Sequence, residues 1–77
     1  MITSATFATT EGDTQINYAA LTNVNVLELR RQGLELDRVT GTPSGRQFKY
    51  IPRSGYLEFD ATIPFEANEK IFVLYEY

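Results

Sequence analysis

The feature that most constrains this chain is an apolar pattern of period two. Phe48 and Tyr50 flank Lys49, and Leu57, Phe59 and Ala61 alternate with Glu58 and Asp60. Successive side chains of a strand point to opposite faces, so this pattern suits half-buried strands. Turn residues recur about every ten positions, a spacing that predicts a sandwich or barrel. Seven strands are predicted: Ile2 to Thr9, Thr14 to Leu21, Val24 to Arg31, Leu34 to Thr40, Arg46 to Ile51, Tyr56 to Ala61 and Lys70 to Tyr77. The expected fold is an all-β antiparallel sandwich, Ig-like or jelly-roll-like, in one domain over residues 1–77. A helix over Val26 to Leu36 is disfavoured, because Gly33 interrupts it and the flanks lack capping residues.

The turns follow from residue type. Gly12, in Glu11-Gly12-Asp13, is free to take positive φ. Gln32-Gly33 predicts a tight hairpin. Gly41-Thr42-Pro43-Ser44-Gly45 is the most loop-like stretch. Two strands break the simple alternation. In the third, Val24 and Val26 fall on one face and Leu27 and Leu29 on the other. A β-bulge near Val26-Leu27 would turn both pairs inward, and burial on both faces is the alternative. The seventh is apolar on both faces, with Ile71, Val73, Tyr75 and Tyr77 against Phe72 and Leu74. Either its own chain covers both faces or one face meets another subunit, and the second reading is preferred.

Size makes the second reading attractive. For 8.8 kDa, area scaling predicts roughly 4,800 Å² of surface folded and roughly 12,800 Å² unfolded. Burying that difference, somewhat over half of it apolar, contributes on the order of 110 kcal/mol. Ordering 77 residues costs about 115 kcal/mol. A core this marginal calls for a staple. The sequence has no Cys and no His, which removes disulfides and the usual zinc ligands. Oligomerisation remains, so a homo-oligomer is expected.

Charge narrows the partners. Net charge is −3, and the basic residues form no patch, so nucleic acid is not expected as a partner. No apolar run approaches the ~20 residues of a membrane-spanning helix, so a membrane is not expected either. Met1-Ile2-Thr3-Ser4 shows neither the basic start nor the apolar segment of a signal peptide.

No catalytic constellation emerges. A serine nucleophile needs a neighbouring base, normally His, and neither Lys49 nor Lys70 stands in a Ser-x-x-Lys spacing. Glu58 and Asp60 share a strand face, which reads as solvated rather than as a glycosidase pair. The Glu11–Asp13 turn has two acids, too few for a calcium loop. No enzyme activity and no cofactor is therefore expected. The remaining resource is aromatic, with five Tyr and five Phe. Most must fill the core. Candidate interface residues are Phe72 and Leu74, off the main inward face, and Tyr56 and Phe65, placed in loops.

The order of features resembles a known group. A strand ending in Phe7 and a Glu11-Gly12 turn leads to Leu21–Leu29 and Arg30-Arg31-Gln32-Gly33-Leu34. Phe48-Lys49-Tyr50, Ser54-Gly55-Tyr56-Leu57-Glu58-Phe59 and Glu69-Lys70-Ile71-Phe72-Val73-Leu74-Tyr75 follow. This succession resembles the small β-sandwich modules of tailed-bacteriophage virions, found in head fibres, decoration proteins, and neck and tail appendages. Asn68-Glu69 stands where such modules usually carry glycine before the last strand. The resemblance implies a non-enzymatic structural or adhesion subunit located in a virion. Its partners would be copies of itself and other virion proteins of capsid or tail. The alternative is a carbohydrate-binding module that takes a surface glycan on Tyr56 and Phe65.

Overall fold

In a computed structural model covering Met1–Tyr77, the period-two pattern folds into eight short strands and one 3₁₀ turn. The strands are β1 (Ile2–Ala8), β2 (Gln15–Asn17), β3 (Asn25–Arg31), β4 (Leu34–Glu35), β5 (Asp37–Val39), β6 (Gln47–Ile51), β7 (Tyr56–Phe59) and β8 (Lys70–Glu76). They form two four-stranded sheets, one ordered β1-β8-β3-β4 and the other β2-β7-β6-β5. The expected all-β sandwich is the observed architecture. Its surface is 4688 Å², close to the area that scaling predicts for this mass.

Two predicted strands end differently. The second stops at Asn17, and Ala19–Leu21 forms a 3₁₀ turn that drops Leu21 into the core, where it is fully buried. The predicted fourth strand is two strands. β4 pairs with β3 across the Gln32-Gly33 hairpin. At Leu36 the chain leaves that sheet, and β5 joins the other one beside β6. Leu36 itself is buried, and its N–H still donates to the Leu29 carbonyl at 2.9 Å. Corners where a strand switches sheets are a recognised way to close a sandwich. The switch also makes β5–β6 the one parallel pair in an otherwise antiparallel fold.

The expected bulge in β3 is present, with the register against β8 shifting between Val26 and Glu28. It brings Val26 and Leu29 to the inner face, opposite Tyr75 and Val73, but expels Leu27 to solvent, so the expectation that both apolar pairs turn inward fails for Leu27. β8 is a central strand, bonded to β1 on one side and β3 on the other. Ile71 and Val73 point into the core and are fully buried. With them lie Leu29, Phe48, Leu57 and Phe59 from both sheets. Tyr50 is also core: its one hydroxyl proton is shared between the Leu21 and Val24 carbonyls, and its oxygen accepts the Val24 N–H. That single phenol ties the connection after the 3₁₀ turn to β6.

Candidate functional site

The best-formed concavity lies at one end of the sandwich, between the β3–β4 hairpin, the loop before β6 and the loop between β7 and β8. Its volume is about 460 Å³. Leu34 and Ile63 stand exposed on its rim beside Pro64 and Arg46, and Arg31 and Glu69 form its floor.

The floor is an ion pair between strand ends. Arg31 closes β3, and Glu69 immediately precedes β8. Arg31 Nε and Nη2 donate to the two Glu69 carboxylate oxygens at 2.9 and 3.0 Å, a bidentate geometry that adds directionality to charge. Arg31 then donates to the Ile63 carbonyl at 3.1 Å and the Pro64 carbonyl at 3.2 Å. Its guanidinium lies 4.6 Å from the centre of the Phe65 ring. Glu69 also reaches back three residues to accept the Glu66 N–H at 2.6 Å, as the acid of a helix capping box does. Thr9 completes the knot: its hydroxyl donates to the Glu66 carbonyl at 2.7 Å and accepts the Glu69 N–H at 2.9 Å. Asn68 sits between these bonds at φ +61. Asparagine thus takes the left-handed position that glycine would otherwise fill.

Asp60 organises the neighbouring loop. Its carboxylate accepts the Gly45 N–H at 2.6 Å, the Thr62 N–H at 2.8 Å and the Thr62 hydroxyl at 2.7 Å. The expectation that Glu58 and Asp60 form one solvated face fails for Asp60, because β7 ends at Phe59 and the next side chain turns to these donors. Both carboxylates are held below the usual carboxylate range. For Asp60 the Gly45 N–H is the main cause, followed by Thr62. For Glu69 the Arg31 hydrogen bonds outweigh desolvation. No buried side-chain polar atom lacks a partner. The best-formed polar cluster in the molecule therefore spends its donors and acceptors on its own loops.

The four candidate interface residues do not converge. Phe72 and Leu74 lie on the outer face of the first sheet, across from Thr6 and Arg30 and from Ser4 and Glu28. Both are half-buried. Tyr56 is not in a loop: it opens β7, paired with Asn17 and Ile51, on the outer face of the other sheet. Partial burial, and secondarily Glu58, pushes its hydroxyl pKa up. Phe65 is a loop residue but a core ring, only 2% exposed and packed edge-on against Phe59 at 5.0 Å. Its backbone is pinned by reciprocal bonds with the Glu11–Asp13 turn, Gly12 N–H to Phe65 carbonyl and Phe65 N–H to Asp13 carbonyl, both 2.9 Å. Tyr56 and Phe65 thus share no ring platform.

The cluster of Arg31, Glu69, Asp60 and Thr9 leaves almost no trace in the sequence. Arg31 beside a glycine hairpin was the one visible signal, since a charged residue at a strand end often anchors a loop. No group of three or more acidic or metal-binding side chains is placed to hold a metal ion. No helix is long and apolar enough to cross a membrane. Comparison with protein-family models, with curated proteins and with solved structures found no match.

Proposed function

We propose that this chain is a non-enzymatic structural module that assembles with copies of itself and docks onto a larger particle, in the manner of the tailed-phage virion modules its sequence resembles. One observation carries the reading. The central strand β8 places Phe72 and Leu74 on the face away from the second sheet, where both remain partly open to solvent. A solvated sheet face normally carries polar side chains, and two large apolar groups at its centre suit an interface. The saturated polar cluster at the loop end agrees with this, because its carboxylates serve the fold rather than a substrate.

The test is the mass of the protein in solution from about 100 μM down to about 1 μM, with circular dichroism followed in parallel. Oligomers that shrink on dilution, and that weaken in Phe72→Ser and Leu74→Ser variants, are the expected result. A folded monomer at every concentration overturns self-assembly.

A further inference from the structure

We propose that β1 pairs antiparallel with β1 of a second copy about a two-fold axis, joining the two β1-β8-β3-β4 sheets into one continuous sheet. The inference rests on the assembly reading above and names the edge through which assembly begins.

The four sheet edges are unequal. β4 has two residues, β2 has three, and β5 has three including the charged Asp37 and Arg38. Short or charged edges resist pairing with another chain. β1 has seven residues, Ile-Thr-Ser-Ala-Thr-Phe-Ala, with no charge and no proline. It is paired on one side only.

The direction of its free groups follows from the ladder. Met1 and Tyr77 exchange bonds in both directions, and the Thr9 N–H donates to the Glu69 carbonyl. The β1–β8 register between those points is unbroken. Alternate residues of an antiparallel strand bond to opposite sides. Thr3, Ala5 and Phe7 therefore bond to β8, and Ile2, Ser4, Thr6 and Ala8 turn their N–H and C=O groups outward. All four of these residues are exposed. The Ala8 carbonyl accepts a 3.4 Å bond from the Tyr18 hydroxyl, which leaves it a second lone pair, and no other outward group has a partner.

A second copy of β1 fits this edge better than a charged strand would. With the two-fold axis at Ala5, Ser4 faces Thr6 of the second copy and Ile2 faces Ala8, and each such pair exchanges two ladder bonds. The axis passes between two Ala5 residues in a non-hydrogen-bonded pair, where backbones approach most closely and small side chains are needed. A charge near the axis would meet its own copy, and β1 has none. Ile2, now 59% exposed, gains an apolar neighbour.

Single-cysteine crosslinking tests both the contact and its register, since the chain has no cysteine of its own. Under mild oxidation Ala5→Cys should give a covalent dimer, because the symmetric pair is within disulfide reach. Thr3→Cys, which faces Phe7 of the second copy, should crosslink at least ~10-fold less. Ser4→Pro removes an outward N–H without touching the β1–β8 ladder, and should shift the dimer to monomer with an unchanged β spectrum. Wild-type oligomers that survive Ser4→Pro, together with no crosslink in Ala5→Cys, overturn the edge pairing and leave the assembly reading in place. Equal crosslinking of Thr3→Cys and Ala5→Cys overturns the register. A wild-type monomer at ~100 μM overturns the pairing and the self-assembly reading together.

Discussion

At the loop end, Thr9, Arg31, Asp60 and Glu69 all donate to or accept from backbone groups of nearby turns. Along β1, the outward N–H and C=O groups of Ile2, Ser4 and Thr6 meet only solvent. Both regions present orphan backbone groups of the kind that every strand end and sheet edge leaves. The loop end closes them with side chains from distant parts of the chain: Thr9 and Glu66 are 57 residues apart, and Arg31 and Glu69 are 38 apart. The edge leaves them open. The difference teaches that this small sandwich satisfies its backbone groups where its loops meet and leaves those along one flank without partners in its own chain.

The largest effect on the fold is expected at Gly55, at the opposite end of β7 from Asp60. Its φ is +70, and an added Cβ would collide with the Tyr18 carbonyl, to which the backbone is held by the Tyr18 N–H···Gly55 bond at 3.0 Å. Gly55→Ala combines a left-handed strain with a backbone clash, and should cost about 4 kcal/mol or more. A domain of 77 residues holds roughly 4–12 kcal/mol in total. Denaturation followed by circular dichroism should therefore show Gly55→Ala losing a third or more of the total stability, and an unchanged denaturation midpoint would refute the clash.

Arg31→Met comes next. It keeps the apolar stem and removes the guanidinium donors to Glu69, Ile63 and Pro64. Glu69 then keeps only the Glu66 N–H and loses its counter-charge in a largely buried position, with an expected cost of about 3 kcal/mol. Urea denaturation measures it. The double variant Arg31→Met with Glu69→Met should recover part of the loss if the stranded charge is its cause.

Acid should loosen the same region by a smaller amount. Asp60 and Glu69 have folded-state pKa values below their ordinary ones. The unfolded chain therefore binds more protons than the folded one in the acid range, and stability rises with pH there. The full contribution is present above roughly pH 5, beyond the ordinary carboxylate values, and is lost as pH falls through the depressed values. Denaturation midpoints at about pH 6 and pH 3 should differ in this direction. Asp60→Asn and Glu69→Gln, each less stable at neutral pH, should each flatten the slope.

The smallest effect on the fold is expected at the open face. Phe72→Ser should change monomer stability by less than about 1 kcal/mol, because the ring is only half-buried and its neighbours are Thr6 and Arg30. Its effect should appear in mass against concentration instead. A large loss of monomer stability in this variant would show that the ring belongs to the core.

The elements that were legible beforehand are those whose signal is local. β6 and β7 follow from alternation, β8 from its continuous apolar run, the β3–β4 hairpin from Gln32-Gly33, and the bulge from the slip between Val26 and Leu27. The break of the fourth predicted strand at Leu36 was not legible. A run from Leu34 to Thr40 has the right composition for one strand, and only the two sheets competing for it decide that it divides. Phe65 and Asp60 were misplaced for the same reason. A phenylalanine between Pro64 and Glu66 looks exposed until Gly12, Asp13 and Arg31 arrive from elsewhere in the chain to bury it.

By itself the sequence determined the class of this protein: period-two patterning and regularly spaced turns admit a small β sandwich or barrel and little else, since side-chain alternation is a property of the strand alone. Tertiary structure alone decided which carboxylates became loop clasps, which aromatic rings were covered, and which strand was left at an edge. Those outcomes depend on groups tens of residues apart meeting in space, and a linear pattern holds no record of such distances.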